Sequence, residues 1–185
     1  MKLLAIYGSP RIQGNSELLL DNFLEGAKAS GCRITRLYVR DLNIFPCTAC
    51  GECEKTGYCP LQDDMQIVYP LLLDTDALVV ATPVYFYGVP AQLKALIDRC
   101  QLIWQKNKKK KPLFLKPGYL ISVGGAKGQH AFDGVILTIK YFFLTLGVKL
   151  EQILTYAGVD AAGAIKQHPS ALNEVHTAGG RLCLK

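Results

Sequence analysis

The chain has no apolar run of the ~20 residues that a bilayer-crossing helix needs, which excludes a helical membrane protein as a reading of its 185 residues. Met1 leads straight into a core-type strand, with no basic n-region and no cleavage site, so the expected location is the cytoplasm. Histidine is scarce: His130, His168 and His176 stand without partner motifs and read as structural or surface residues. Acidic residues are outnumbered, 15 against 21 basic ones, giving a net charge of +6. Much of that excess comes from Lys106 and Lys108 to Lys111. No aromatic residues interleave with this run to stack bases; it reads as a solvated loop, and nucleic-acid binding is not expected. Internal repeats and breaks in composition are absent, so residues 1–185 are expected to form one domain with a sizeable core.

What the chain has in excess is cysteine. Four of its seven cysteines fall within thirteen residues, in the pattern Cys47-x2-Cys50-x2-Cys53-x5-Cys59. Cys32, Cys100 and Cys183 lie apart. Residues 40 to 62 show neither strand nor helix periodicity, and an irregular connection this long is usually functional. Pro46, Gly51, Gly57 and Pro60 supply turns. Thiolates at intervals of three converge only when the backbone turns tightly, as in a loop that wraps an iron–sulfur cluster. In a reducing compartment such a group suggests metal rather than disulfides. Zinc is a rival, although four-cysteine zinc sites usually come as two separated pairs. Loop cysteines without metal are the third reading. Asp63 and Asp64, just beyond, suit the N-terminus of a helix over Met65 to Leu73.

Three loops stand at the ends of expected strands. The first is Gly8-Ser9-Pro10-Arg11-Ile12-Gln13-Gly14-Asn15-Ser16, between the apolar run Leu3 to Tyr7 and a helix over Glu17 to Lys28. Its free N–H groups and the helix dipole favour an anion. Ser9, Asn15 and Ser16 add donors and Arg11 adds charge. The loop has neither the G-x-G-x-x-G nor the P-loop pattern. The plainer reading is an ordinary helix start capped by Asn15 or Ser16. The second loop, Thr82-Pro83-Val84-Tyr85-Phe86-Tyr87-Gly88-Val89-Pro90, follows the apolar strand Asp76 to Ala81. It can hold a flat ring, or be an aromatic plug of the core. The third, Ser122-Val123-Gly124-Gly125-Ala126, ends a strand over Lys116 to Val123, and its glycines permit close approach of a ligand or a plain turn.

Together the loop Gly-Ser-Pro-Arg-x2-Gly-Asn-Ser, the segment Thr-Pro-Val-Tyr-Phe, and the helix sequence Leu93-Lys94-Ala95-Leu96-Ile97-Asp98-Arg99 resemble the NADPH-dependent FMN reductase family. The cysteine insert followed by Asp63-Asp64 is similar to the family's iron–sulfur flavoproteins. The resemblance covers about residues 1 to 125. It implies that Ser9, Arg11, Gly14, Asn15 and Ser16 hold the FMN phosphate. It places Thr82, Pro83, Val84, Tyr85 and Phe86 at the isoalloxazine ring, and Gly124 and Gly125 in a third flavin loop. Cys47, Cys50, Cys53 and Cys59 would ligate a [4Fe–4S] cluster, with no side chain needed as a catalytic acid or base. NAD(P)H as co-substrate, a redox partner protein, and a homodimer or homotetramer are also implied.

The remaining elements are a second strand over Arg33 to Val39 and a helix over Ala91 to Gln105. A helix over Phe132 to Leu146, a fifth strand over Lys149 to Tyr156 and a last helix over Pro169 to Leu182 follow. Strands alternating with helices predict a parallel sheet covered on both faces. The expected fold is a flavodoxin-like α/β three-layer sandwich with five strands in the order 2-1-3-4-5. Its ligand then sits beyond the carboxyl ends of strands one and three. The expected function is FMN-dependent electron transfer with a cluster. A cluster-free NAD(P)H-dependent FMN or quinone reductase is the alternative, and a non-catalytic flavin- or zinc-binding docking module the second.

Overall fold

A computed structural model describes residues 1–108 and 115–184, so Lys109 to Lys111 of the basic run lie outside the described residues. Lys108 is described, and it pairs with Glu54. Five parallel strands run in the order β2-β1-β3-β4-β5: β1 Lys2–Tyr7, β2 Arg33–Tyr38, β3 Ala77–Pro83, β4 Lys116–Gly124 and β5 Val148–Ala157. β1 and β3 are apolar on both faces and almost wholly buried, as the middle of a parallel sheet requires. Their register pairs Tyr7 with Ala81 and Thr82 with Ser122, so β1, β3 and β4 end level at one edge of the sheet.

The helices are α1 Asn15–Ala29, α2 Glu52–Lys55, α3 Met65–Leu73, α4 Ala91–Arg99, α5 Gln101–Asn107, α6 Asp133–Thr145 and α7 Ala171–Gly180. α1 and α7 cover one face of the sheet, where Leu19, Phe23, Leu24 and Val175 meet Leu3, Ala5 and Tyr7. α3 to α6 cover the other, where Val68, Leu93, Leu96 and Phe143 meet Leu4, Ile6, Val80 and Leu120. Glycine sets the spacing of α1 and α7. A Cβ on Gly26 would lie 2.1 Å from the His176 carbonyl oxygen, and one on Gly179 would lie 1.9 Å from that of Phe23. That close approach brings the chain's ends together, and a disulfide joins Cys32 to Cys183 across 151 positions.

Some elements differ from the sequence reading. The helix expected over Ala91 to Gln105 is two helices, because the backbone tightens at Cys100 (φ −69°, ψ 1°). Residues 40 to 62 contain one helical turn, α2, where none is expected. The last helix is shorter than Pro169 to Leu182 and gives way to a 3-10 turn at Leu182–Leu184. α1 starts two residues early, and its N-cap is Gly14 rather than Asn15 or Ser16.

The cysteine loop leaves the sheet after β2 and is pinned at its neck. The Asp63 side chain is fully buried and forms a two-pronged ion pair with the guanidinium of Arg99 on α4, itself 2% exposed. The same carboxylate accepts from the backbone N–H of Phe45 at 2.9 Å and of Met65 at 3.1 Å. Arg99 Nη1 donates to the Phe45 carbonyl at 2.9 Å. One residue out, Asp64 accepts from the Asn43 N–H at 2.6 Å and the Asp64 N–H donates to the Asn43 carbonyl at 3.1 Å. Residues 43–45 and 63–65 are thus tied together, with the four cysteines in the span between them. Burial pushes the Asp63 carboxyl up, but the Arg99 pair and the two backbone donors outweigh it and hold its pKa below the ordinary value.

Removing one partner of such a pair leaves the other charge buried, so Asp63→Asn is expected to destabilise the fold by about 3–5 kcal/mol in urea unfolding. A carboxylate of lowered pKa contributes stability that is complete above its unfolded value near ~4 and declines as pH falls through the folded value. Wild-type stability should therefore fall more steeply than that of Asp63→Asn below about pH 4. Equal acid profiles would show that Asp63 does not clamp the neck.

Candidate functional site

The level ends of β1, β3 and β4 bring three loops to one cleft. Ser9, Arg11, Gly14, Asn15, Ser16, Pro83, Val84, Tyr85, Gly124 and Gly125 line it, together with Val123, Val159 and Asp160. Ten of the expected residues therefore meet. Thr82 does not line the cleft: it is fully buried beneath it, and its carbonyl accepts the Ser122 hydroxyl at 3.1 Å. Phe86 does not line it either and stands entirely in solvent. The cleft's cavity is about 60 Å³, room for a group of a few heavy atoms beside the N-terminus of α1.

Local chemistry shapes the first loop. The Arg11 N–H donates to Ser9 Oγ at 3.1 Å, which braces the turn, and Gln13 takes a positive φ of 51°. Both ends of the Asn15 amide are engaged: it donates to the Ala161 carbonyl at 2.9 Å and accepts from the Ile165 N–H at 3.2 Å. Arg11 Nη1 donates to the Asp160 carbonyl at 3.3 Å. The segment after β5 is thereby fastened across the cleft. In the sequence, residues 158–167 show only as a polar, Gly/Ala-rich link. Nothing but their position after a strand end signals that Val159 and Asp160 reach the site.

A side chain at either glycine of the third loop would crowd a neighbour by a few tenths of an ångström. A Cβ on Gly124 would lie 3.1 Å from Val84, and one on Gly125 would lie 3.1 Å from Asp160. In the aromatic loop, Tyr85 and Gly88 exchange both backbone hydrogen bonds, at 2.9 and 2.8 Å. Phe86 and Tyr87 form the turn between them at φ of 47° and 62°. Bulky residues in this region carry strain, which collects at functional sites. Gly134 lies against the turn: a Cβ there would be 2.2 Å from the Tyr87 carbonyl oxygen.

The second site is a cavity of about 480 Å³ between the cysteine loop and helices α4 and α5. Cys47, Cys50, Cys53 and Cys59 all line it, with Arg99, Gln101, Leu102 and Gln105 on the helical wall. The loop bends around it through Ala49 and Gly51, at φ of 53° and 78°. Burial, then the neighbouring thiols of Cys47, Cys59 and Cys50, push the Cys53 thiol up in pKa. Among the described residues no three Cys, His, Asp or Glu side chains converge closely enough to hold a single metal ion. Four cysteine thiols lining one cavity are the donor type that iron–sulfur groups take. Two buried polar atoms in the described chain lack hydrogen-bond partners, Arg99 Nε and Gln105 Oε1, and both residues line this cavity. Arg99 stands in the helix sequence singled out above, whereas Gln105 carries no sequence signal. Cys100, buried and pushed up to about 12 by desolvation, is an inert thiol of the core.

Among the described residues no helix is long and apolar enough to cross a membrane. Comparison with known proteins agrees with this architecture. An iron–sulfur flavoprotein of Methanosarcina thermophila is 39% identical over 127 residues, covering 69% of this chain and 65% of the relative. One from Archaeoglobus fulgidus is 36% identical over 149 residues, covering 79% and 73%. Against two further iron–sulfur flavoproteins the matched part is 45% and 51% of the relative's length, so the chain spans about half the length of several of these relatives. Among solved structures, the azoreductase AzrA superposes with a TM-score of 0.73 at 15% identity, covering 98% of this chain and 100% of the other. An NAD(P)H:quinone oxidoreductase from Methanothermobacter marburgensis gives 0.71 at 17%, covering 98% of each. At such identities these two show the shared fold. The NADPH-dependent FMN reductase family matches residues 1–142, and this chain belongs to that family, in its iron–sulfur flavoprotein branch.

Proposed function

We propose that the chain is an FMN-dependent oxidoreductase that also carries a [4Fe–4S] cluster and moves electrons between NAD(P)H and a one-electron partner protein. The observation that carries this reading is that the fold forms two separate cavities, one lined by the three strand-end loops and one by four cysteines. When bound, flavin exchanges one or two electrons and the cluster one at a time, which would couple a two-electron donor to a one-electron acceptor.

The chain's own part is to bind and orient. The N–H groups at the start of α1, the Ser16 hydroxyl and the Arg11 guanidinium would hold the phosphate. Asn15 supports the site by fastening the segment after β5, since both ends of its amide are engaged there. The backbone of Pro83 to Tyr85 and the bare Cα atoms of Gly124 and Gly125 would lie along the ring's edge. Asp160 also lines the cleft and would repel an anion, and Arg11 standing against its carbonyl offsets this. NAD(P)H-dependent reduction of FMN without a cluster is the second reading, favoured by the thiols' failure to converge on a point.

We also propose that a second copy of the chain covers the exposed apolar surface. Phe86 and Tyr87 stand in solvent, and Trp104, Leu137 and Tyr141 line a groove of about 460 Å³ between α5 and α6. Light scattering of the flavin-loaded protein should then give at least twice the 20.3 kDa chain mass, and a monomer mass would count against it.

Two substitutions test the two cavities separately. Ser16→Ala should weaken FMN about tenfold, the worth of ~1.4 kcal/mol for one hydrogen bond to a charged group, and leave riboflavin nearly unchanged. Equal losses for both would remove the phosphate from this loop. Cys50→Ala, purified anaerobically, should lose iron and sulfide while keeping FMN, because the cysteines and the three loops line different cavities. Stoichiometric zinc in the wild-type protein, or no metal with intact NAD(P)H-dependent flavin reduction, would leave the cluster-free reductase as the answer.

A further inference from the structure

We infer that Arg40 is a positioning residue of the phosphate loop: by pairing with Glu17 it cancels the carboxylate in the first turn of α1 and leaves that helix end free to take a phosphate. This rests on the FMN reading above and goes beyond it, because Arg40 follows β2 and lines neither of the two cavities. Three observations converge. Glu17 is the acidic residue of the first turn of α1, and the residues just before it, Gly14, Asn15 and Ser16, line the cleft. Its Oε2 accepts from the Gln13 N–H at 3.1 Å and from Arg40 Nη1 at 2.6 Å. Both side chains are largely shielded from water, Arg40 at 14% and Glu17 at 11% exposed.

The carboxylate has a structural use and an electrostatic cost. Gln13 holds a positive φ of 51°, and the Glu17 oxygen on its N–H braces that turn. The same negative charge sits at the helix end that the phosphate would occupy, where it competes for the dipole and repels a second anion. Burial limits the screening that solvent would otherwise supply. Arg40 removes the cost without removing the oxygen, since its guanidinium stays charged at any working pH. Arg11 is then free to act on the phosphate rather than to offset Glu17. The cation is itself held in place. Its guanidinium carbon lies 4.7 Å above the Tyr38 ring, and Tyr38 stacks on Tyr7 at 4.2 Å. The Tyr7 hydroxyl donates to Asp21 at 2.6 Å, which ties that stack back to α1. Asp41, 3.7 Å from Arg40 Nε, is exposed and competes only weakly for the charge.

The test measures FMN and riboflavin binding by flavin fluorescence on flavin-stripped full-length protein. Wild type is compared with Arg40→Met, Arg40→Lys, Glu17→Gln and the double variant of Arg40→Met with Glu17→Gln. Arg40→Met keeps a stem over Tyr38 and loses the charge. It should weaken FMN about tenfold, equivalent to ~1.4 kcal/mol, and leave riboflavin nearly unchanged. Arg40→Lys should keep most of the FMN affinity. Adding Glu17→Gln to Arg40→Met should recover most of the loss, although it removes a further charge; a role in packing alone predicts no recovery. Glu17→Gln by itself keeps an oxygen for the Gln13 N–H and leaves Arg40 uncancelled, so it should bind FMN several-fold tighter than wild type. That variant reads the effect even where Arg40→Met folds poorly, and weaker FMN binding in it would overturn the inference. Unchanged FMN affinity in Arg40→Met, equal losses of FMN and riboflavin, or no recovery in the double variant would overturn it too. Each of these leaves the FMN reading standing, which Ser16→Ala tests. Equal affinity of the wild-type protein for FMN and riboflavin would overturn the phosphate reading, and this inference with it.

Discussion

The ion pair between Asp63 and Arg99 joins the parts of the molecule that matter for its chemistry. It is buried on both sides and made in two prongs, and it gathers the backbone of Phe45 and Met65 to the same carboxylate. The loop that carries the cysteines has few apolar residues to anchor it, and the conformational freedom it gives up would otherwise cost about 1–2 kcal/mol per residue. Clamping its two ends at the neck shortens the open span and aims it at α4 and α5. A buried ion pair is poor evidence of net stability, since desolvation opposes the attraction. Its value here is geometric: it fixes where the loop starts and stops relative to the helices.

The strand-end loops gather separately, at the carboxyl ends of the strands. Parallel pairing in register sets the ends of β1, β3 and β4 level. Each loop that follows solves a local problem with a particular residue. Gly14 caps α1 without a side chain, Gly124 and Gly125 remove Cβ atoms from the path of Val84 and Asp160, and Phe86 and Tyr87 accept a strained turn. Away from this edge the chain is fastened by packing and covalently, through the glycine contacts of α1 with α7 and the Cys32–Cys183 disulfide.

Cysteine plays three different parts in this one chain, and burial separates them. Cys100 is deep in the core with its thiol held protonated, and its sulfur contacts the Leu96 carbonyl at 3.4 Å. Cys32 and Cys183 join distant parts of the fold. Cys47, Cys50, Cys53 and Cys59 share a cavity in which each thiol raises the cost of ionising Cys53. Counting cysteines alone could not have assigned these parts, whereas their spacing did mark out the last group.

Apolar runs of fixed length between Gly- and Pro-rich loops were enough to mark the five strands and their alternation with helices, which makes the sheet parallel, whereas the strand order followed from the resemblance to flavodoxin-like folds. The three strand-end loops were legible for the same reason: Gly8 to Ser16, Thr82 to Tyr87 and Ser122 to Ala126 stand where topology puts a ligand. The spacing of Cys47 to Cys59 was legible as a candidate ligand set. The tertiary structure alone decided that Asn15 would be spent on Ala161 and Ile165, that Thr82 would lie beneath the cleft and Phe86 outside it, and that residues 159–160 would close it. It alone joined Cys32 to Cys183 and set Arg99 and Gln105 against the cysteines. Periodicity reports the face a residue occupies within its own element. Pairing between residues tens of positions apart depends on how whole elements pack, and a single sequence does not carry that distance.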